Sequence, residues 1–169
     1  MLRRNLTDPS GQAWWQDLSH GAPTISALAR LCSNALIESQ LTLPADEAKP
    51  TLDLNTLSAE ARALLHLAKQ RGTFEIRAKK DGFDSAERFL AVAVEVEPER
   101  WRLLLDKATP RQNIRFLEAF ASLCQAGLVL HHVNAEFSFS SLGFEKATEV
   151  EDQDAGVSSL SNYGVELDG

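Results

Sequence analysis

Apolar residues recur along the chain at two spacings, and the changes of spacing mark the elements. From Ile25 they fall three or four apart, at Ile25, Leu28, Ala29, Cys32 and Leu36, with Leu31 and Ala35 beside them. That period lays them on one face of a helix. Thr24 is placed to cap it after the break at Gly21 and Pro23. A short aromatic segment containing the tandem Trp14-Trp15 precedes it, and the polar stretch bounded by Pro44 and Pro50 reads as a linker. A second helix is predicted after the hydroxyl cap Ser58, with Leu57, Ala61, Leu64, Leu65 and Ala68 as its stripe. Lys69 and Arg71 suit its C-terminal end, and Gly72 stops it. The period then switches to two. Phe74, Ile76 and Ala78 alternate with Glu75, Arg77 and Lys79, as in a half-buried strand, and Asp81-Gly82 turns the chain.

Residues 84–97 carry both periods. Arg88, Phe89, Leu90 and Ala93 suit a helix capped by Asp84 or Ser85, whereas Leu90, Val92, Val94 and Val96 alternate as in a strand. The expectation is a helix over 85–95. Pro98 then opens a further helix with Trp101, Leu104 and Leu105 on one face. Thr109-Pro110 begins the best-written helix of the chain. Ile114, Leu117, Phe120, Ala121 and Cys124 form its apolar face, and Gly127 ends it. A β-hairpin follows: Leu128, Leu130 and His132 alternate with Val129, His131 and Val133, Asn134-Ala135 turns, and Phe137 and Phe139 alternate with serines. At most a short helix closes the unit over 142–147. The pattern as a whole predicts an α+β fold, mainly helical. Residues 1–50 form an N-terminal helical extension and linker, 51–147 a compact domain, and 148–169 a tail.

At 169 residues with 44% hydrophobic positions the chain can build one core of ordinary size. Two cysteines exclude a disulfide-rich scaffold. No apolar run approaches the roughly 18 residues of a membrane helix. Arg3 and Arg4 are followed by polar residues and Pro9 rather than an apolar targeting core, so a cytoplasmic protein is expected. The net charge of -7 is unevenly placed. Residues 1–54 hold four basic against six acidic side chains, residues 55–146 thirteen against twelve, and residues 147–169 none against six. The last segment therefore reads as an acidic, disordered, solubilising tail. The sharper alternative is a segment that screens a polyanion site on its own domain.

The run Phe116–Leu130, followed by Phe137–Ala147, resembles the end of a winged-helix domain. There a long helix ends in leucine, a short gap, then glycine, leucine and valine, matched by Leu123, Gly127, Leu128 and Val129, and a hairpin wing follows. The closing segment is compressed to Ser140, Ser141, Leu142 and Gly143, without the threonine. The resemblance implies a DNA-binding regulator in which helix 110–125 reads bases through Arg111, Gln112, Asn113 and Arg115, with Glu118 and Ser122 on the same exposed face. The basic cluster Lys69, Arg71, Arg77, Lys79 and Lys80 would hold the phosphate backbone. The expected wing tip, Val133–Glu136, has no base. This keeps open the alternative of a protein-interaction or assembly module, with Trp14 and Trp15 as a partner-binding anchor and a homodimer through the N-terminal helix as its simplest form.

Candidate chemistry is sparse. Cys32 and Cys124 lie on apolar helical faces and read as buried thiols. His131 and His132 are adjacent on a strand, so they point to opposite faces and cannot share a metal. His20 and His66 have no sequence partner. Glu95, Glu97 and Glu99 read as a charged surface. No metal-ligand spacing, phosphate-binding glycine loop or nucleophile signature is present. The expectation is a non-enzymatic protein without cofactor or metal. An enzyme would reveal itself as a pocket with convergent titratable groups.

Overall fold

Three helix ends are decided locally. The Ser58 hydroxyl accepts the Ala61 amide at 3.1 Å and starts α2 (Ala59–Ala68). Gly72, at φ +66, lets the chain leave that helix and enter β1 (Thr73–Lys80). Ser140 accepts the Gly143 amide at 3.1 Å and donates to the Gly127 carbonyl at 2.7 Å, which caps α4 (Ser141–Glu149) and fastens it to the preceding hairpin. The structure, a computed structural model, describes residues 14–41, 52–80, 88–105, 110–152, 154, 157, 160 and 164–168.

The first helix, α1 (Trp14–Leu41), starts upstream of the expected Thr24 cap and runs through Gly21 and Pro23. A proline removes one backbone donor. That is a single lost bond in a helix of 28 residues. The long helix α3 (Pro110–Gln125), the hairpin strands β4 (Val129–His131) and β5 (Glu136–Phe139), and the short α4 stand where the pattern put them. Gly127 at φ +73 and Asn134 at φ 54 supply the two turns.

Two expected helices are strands. Residues 85–95 were expected to be helical, but β2 (Arg88–Glu97) occupies the described part of that stretch. It pairs with β1, Phe74 opposite Val94 and Ile76 opposite Val92. Ala91, Val92, Ala93 and Val94 are all fully buried. A strand covered on both sides reads as a continuous apolar run, and such a run fits either period. Pro98 does not open a helix. Pro98 and Glu99, the latter at φ 65, form the two-residue loop between β2 and β3 (Arg100–Leu104), with Glu97 opposite Arg100. A bulge between Glu95 and Glu97 interrupts the strand's alternation there.

Residues 148–169 were expected to be a disordered tail. Their described part is ordered onto the domain: Leu160 is buried in the core, and β6 (Val165–Asp168) pairs with β3. Backbone pairing and three ion pairs offset the polarity that made the segment read as disordered. The result is a six-stranded antiparallel sheet in the order β4-β5-β1-β2-β3-β6.

One side of the sheet carries the main core. Phe74, Phe120, Phe137 and Phe139 interlock there, with ring centroids 5.0 to 5.2 Å apart. All four helices of the described residues contribute to it. Leu28 and Cys32 of α1 lie in the same cluster as Leu64, Phe116 and Leu123. The expected boundary near residue 50 therefore does not separate two cores, although the linker residues 42–51 lie outside the described residues. Ala91, Ala93, Leu103 and Leu105 form a smaller cluster on the opposite side, under Trp101. Among the described residues no helix is long and apolar enough to cross a membrane.

Candidate binding cleft on the sheet

Of the residues expected to read DNA, Arg111 and Arg115 share the exposed side of α3 and Asn113 does not. Arg111 is exposed at the start of α3. Asn113, expected on the exposed face, is 2% exposed and belongs to the interior. Gln112 donates to the Glu60 carboxylate at 3.5 Å, and Arg115 lies 3.6 Å from the same group. Helix α3 packs on α1, α2 and β2, which leaves an exposed stripe that includes Arg111, Ile114, Arg115, Glu118 and Ser122.

The basic cluster is divided as well. Lys69 bonds Asp152 at 3.0 Å, and Arg71 bonds Glu95 at 3.3 Å. Both lie past the C-terminal end of α2, whereas Glu60 and its α3 partners are at the other end, about 15 Å away by helix rise. Arg77 is on the sheet surface turned away from the helices. It pairs with Glu75 at 2.7 Å and stacks 4.8 Å from the centre of the Trp101 ring. The side chains of Lys79, Lys80, Trp14 and Trp15 lie outside the described residues, although their backbones are in β1 and α1.

Asp152, Asp154 and Glu166 of the C-terminal segment pair with the domain's own bases. Asp154 meets Arg62 at 2.8 Å, Asp152 meets Lys69, and Glu166 meets Arg100 at 3.2 Å. The hydrogen bond from Lys69 holds the Asp152 carboxyl below its usual range. His66 lies 3.6 Å from Asp152, and its Nδ1 is buried without a hydrogen bond. Burial first, and the Lys69 charge second, push the imidazole below its ordinary pKa.

A different site is assembled on the far side of the sheet. Alternate residues of a strand face alternate sides. Phe74 and Ile76 enter the core, so Thr73, Glu75 and Arg77 face away. The register of β1 with β5 places Thr73 opposite Ser138 and Glu75 opposite Glu136. These residues, with Trp101, His132 and Phe137, line a cavity of about 370 Å³. Small Ala91 and Ala93 on β2 leave the Trp101 indole room to lean across toward Arg77 on β1. The β4–β5 hairpin supplies the opposite wall. There His132 Nε2 and Ser138 Oγ are 2.6 Å apart. His131 turns the other way and packs on Phe137, ring centroids 4.9 Å apart.

This cleft combines an indole, two carboxylates, an imidazole and two hydroxyls. Like charges directly opposite across an antiparallel pair repel. Arg77 neutralises Glu75, but no basic side chain pairs with Glu136 among the described residues. The His132–Ser138 contact joins a base to a hydroxyl without a third group to orient the imidazole, and no group of three His, Cys, Asp or Glu residues able to hold a metal occurs among the described residues. The arrangement is suited to recognition of a polar or cationic group. Sequence reasoning missed it because Glu75, Trp101 and Glu136 converge only through strand pairing. The one local signal was the alternation that put Glu75 and Arg77 on the outer side of β1.

Away from the cleft, Cys32 of α1 and Cys124 of α3 meet inside the core as hydrogen-bonded free thiols. The contact raises Cys124, helped by burial, and lowers Cys32. Comparison of the chain with protein-family models, with curated proteins and with solved structures finds no match.

Proposed function

We propose that this chain is a protein-interaction module. Its binding surface is the cleft on β1, β5 and the β4–β5 hairpin. A winged-helix-like succession of helix, strand, long helix and hairpin carries it, with β2 and β3 standing where further helices were expected. The reading rests on the cleft: a concavity with an aromatic wall and an excess of carboxylate, on the side of the sheet that no described helix covers. The hairpin has no base at its tip and gives His132, Glu136 and Ser138 to the cleft instead. DNA reading by α3 is less well supported. It needs a continuous basic face, and the candidate bases are divided among three places and mostly matched to carboxylates.

The test is a photo-cross-linking residue at Thr73, compared with one at Ser122 on the exposed stripe of α3. In cell extract the Thr73 position is expected to give a discrete protein adduct, and the Ser122 position none. The reading is overturned if Thr73 gives no adduct while the chain is retained on DNA at low ionic strength and Arg111→Ala with Arg115→Ala abolishes that retention.

A further inference from the structure

We infer that the cleft recognises a lysine or arginine side chain of its partner, held by Glu136 together with Glu75 and flanked by Trp101. The inference rests on the protein-interaction reading and adds the chemistry of the ligand. Three observations lead to it. First, several described bases elsewhere are already matched: Arg62 with Asp154, Lys69 with Asp152, Arg71 with Glu95, Arg115 with Glu60 and Lys146 with Glu149. In the cleft Glu75 and Glu136 stand opposite each other, and Arg77, on β1 itself, pairs with Glu75.

Second, the geometry leaves a place for one more cation. Arg77 reaches Glu75 from the Trp101 side at 2.7 Å and lies over the indole. Glu136 is on the hairpin side, lines the cavity with His132 and Ser138, and is exposed. A cation entering there would relieve the cross-strand repulsion as it binds. That contribution is available to a positively charged ligand and not to a neutral or acidic one.

Third, the chain carries -7 overall, so long-range attraction favours a basic partner before contact is made. The cavity of about 370 Å³ is near the lower end of ligand-site sizes, which suits a single long side chain better than a folded domain. The faces of the indole are taken by the small apolar cluster and by Arg77, so the Lys or Arg stem would lie beside the ring edge while its head reaches Glu136.

The experiment uses the full chain and three labelled nine-residue peptides: alternating arginine and serine, the same peptide with glutamine for arginine, and the same with glutamate. Binding is read by anisotropy, and its location by the Trp101 indole and Thr73 and Ser138 amide NMR signals. The arginine peptide is expected to move those signals. Glu136→Gln is expected to weaken it about fivefold, as loss of a solvent-accessible ion pair would. Glu136 makes its hydrogen bonds through the backbone, so the variant should fold, and circular dichroism checks this. Glu118→Gln on α3 reports the generic attraction of an acidic chain and should change affinity by less than about twofold. Equal losses from Glu136→Gln and Glu118→Gln overturn the inference. If the glutamine peptide moves the cleft signals with equal affinity, cation recognition fails while the interaction site stands. If no peptide moves them and the Thr73 cross-linker is also silent, the site itself fails. A response to spermidine equal to that of the arginine peptide reassigns the cleft to a small polyamine and overturns the peptide assignment.

Discussion

Arg62 and Asp154 meet at 2.8 Å across 92 positions of sequence, with side chains 21% and 20% exposed. Arg62 also donates to the Leu57 carbonyl at 2.7 Å, so one guanidinium ties the start of α2 to the segment after α4. A partly buried charge-assisted bond is worth more than a surface pair. Asp154→Asn should lower unfolding free energy by about 1–2 kcal/mol, and Arg62→Ala by somewhat more. Asp152, 81% exposed, makes the contrasting case: Asp152→Asn should cost much less than Asp154→Asn. Urea denaturation at low and high salt checks both, with only the Asp152 effect fading in salt.

His66 predicts the pH dependence. Its imidazole titrates below the ordinary 6.5 because burial and Lys69 disfavour the charged form, outweighing Asp152 and Asp154. The unfolded chain therefore takes up this proton more readily. Stability from this group is full above 6.5 and declines as pH falls through 6.5 toward the folded-state value. His66→Gln should flatten that limb in thermal melts. A second decline should follow below 3.8, where Asp152 becomes protonated in the unfolded chain before the folded one.

The two thiols should be protected in the native chain. Cys32 is 2% and Cys124 0% exposed, so iodoacetamide should modify the unfolded chain far faster than the native one. Under conditions that open the fold locally, separation of α1 from α3 should expose both thiols together, since each is buried where these helices meet. Peptide mass mapping of the modified site is the check.

Two glycines separate space from backbone conformation. A Cβ on Gly143 would stand 2.1 Å from the Leu128 carbonyl oxygen, which is backbone and cannot rotate away. Gly143→Ala should push α4 off β4 and cost about 3 kcal/mol or more. Gly127 has room, its nearest neighbour being the Ala35 Cβ at 3.6 Å, but sits at φ +73. Gly127→Ala should cost only the left-handed penalty, about 1–2 kcal/mol. Thermal melts of the two variants test the order.

Much of the fold was legible because it is written locally. Ser58, Gly72, Pro110 and Gly127 delimit α2 and α3 through caps and dihedral requirements that act within a few residues. Phe137 and Phe139 alternate with serines in β5 and mark its buried face. Residues 84–105 were not legible in the same way. Leu90 to Val94 satisfies both periods, and Pro98 is equally at home opening a helix or filling a two-residue loop. Of the candidate site, only the outward side of β1 was legible. Asn113 illustrates the difficulty: a polar residue in the first turn of a helix gives no local sign that α3 turns it inward.

The sequence by itself determined where α2, α3 and the β4–β5 hairpin lie, because capping, periodicity and glycine conformation are short-range effects. It also determined that the charge is concentrated in the last 23 residues. Only the tertiary structure decided that 88–104 is sheet, that the acidic segment returns as β6, and which carboxylate faces which base. Those outcomes depend on pairings tens of residues apart. The pairing of β1 with β5 places Glu75 opposite Glu136 and so creates the cleft.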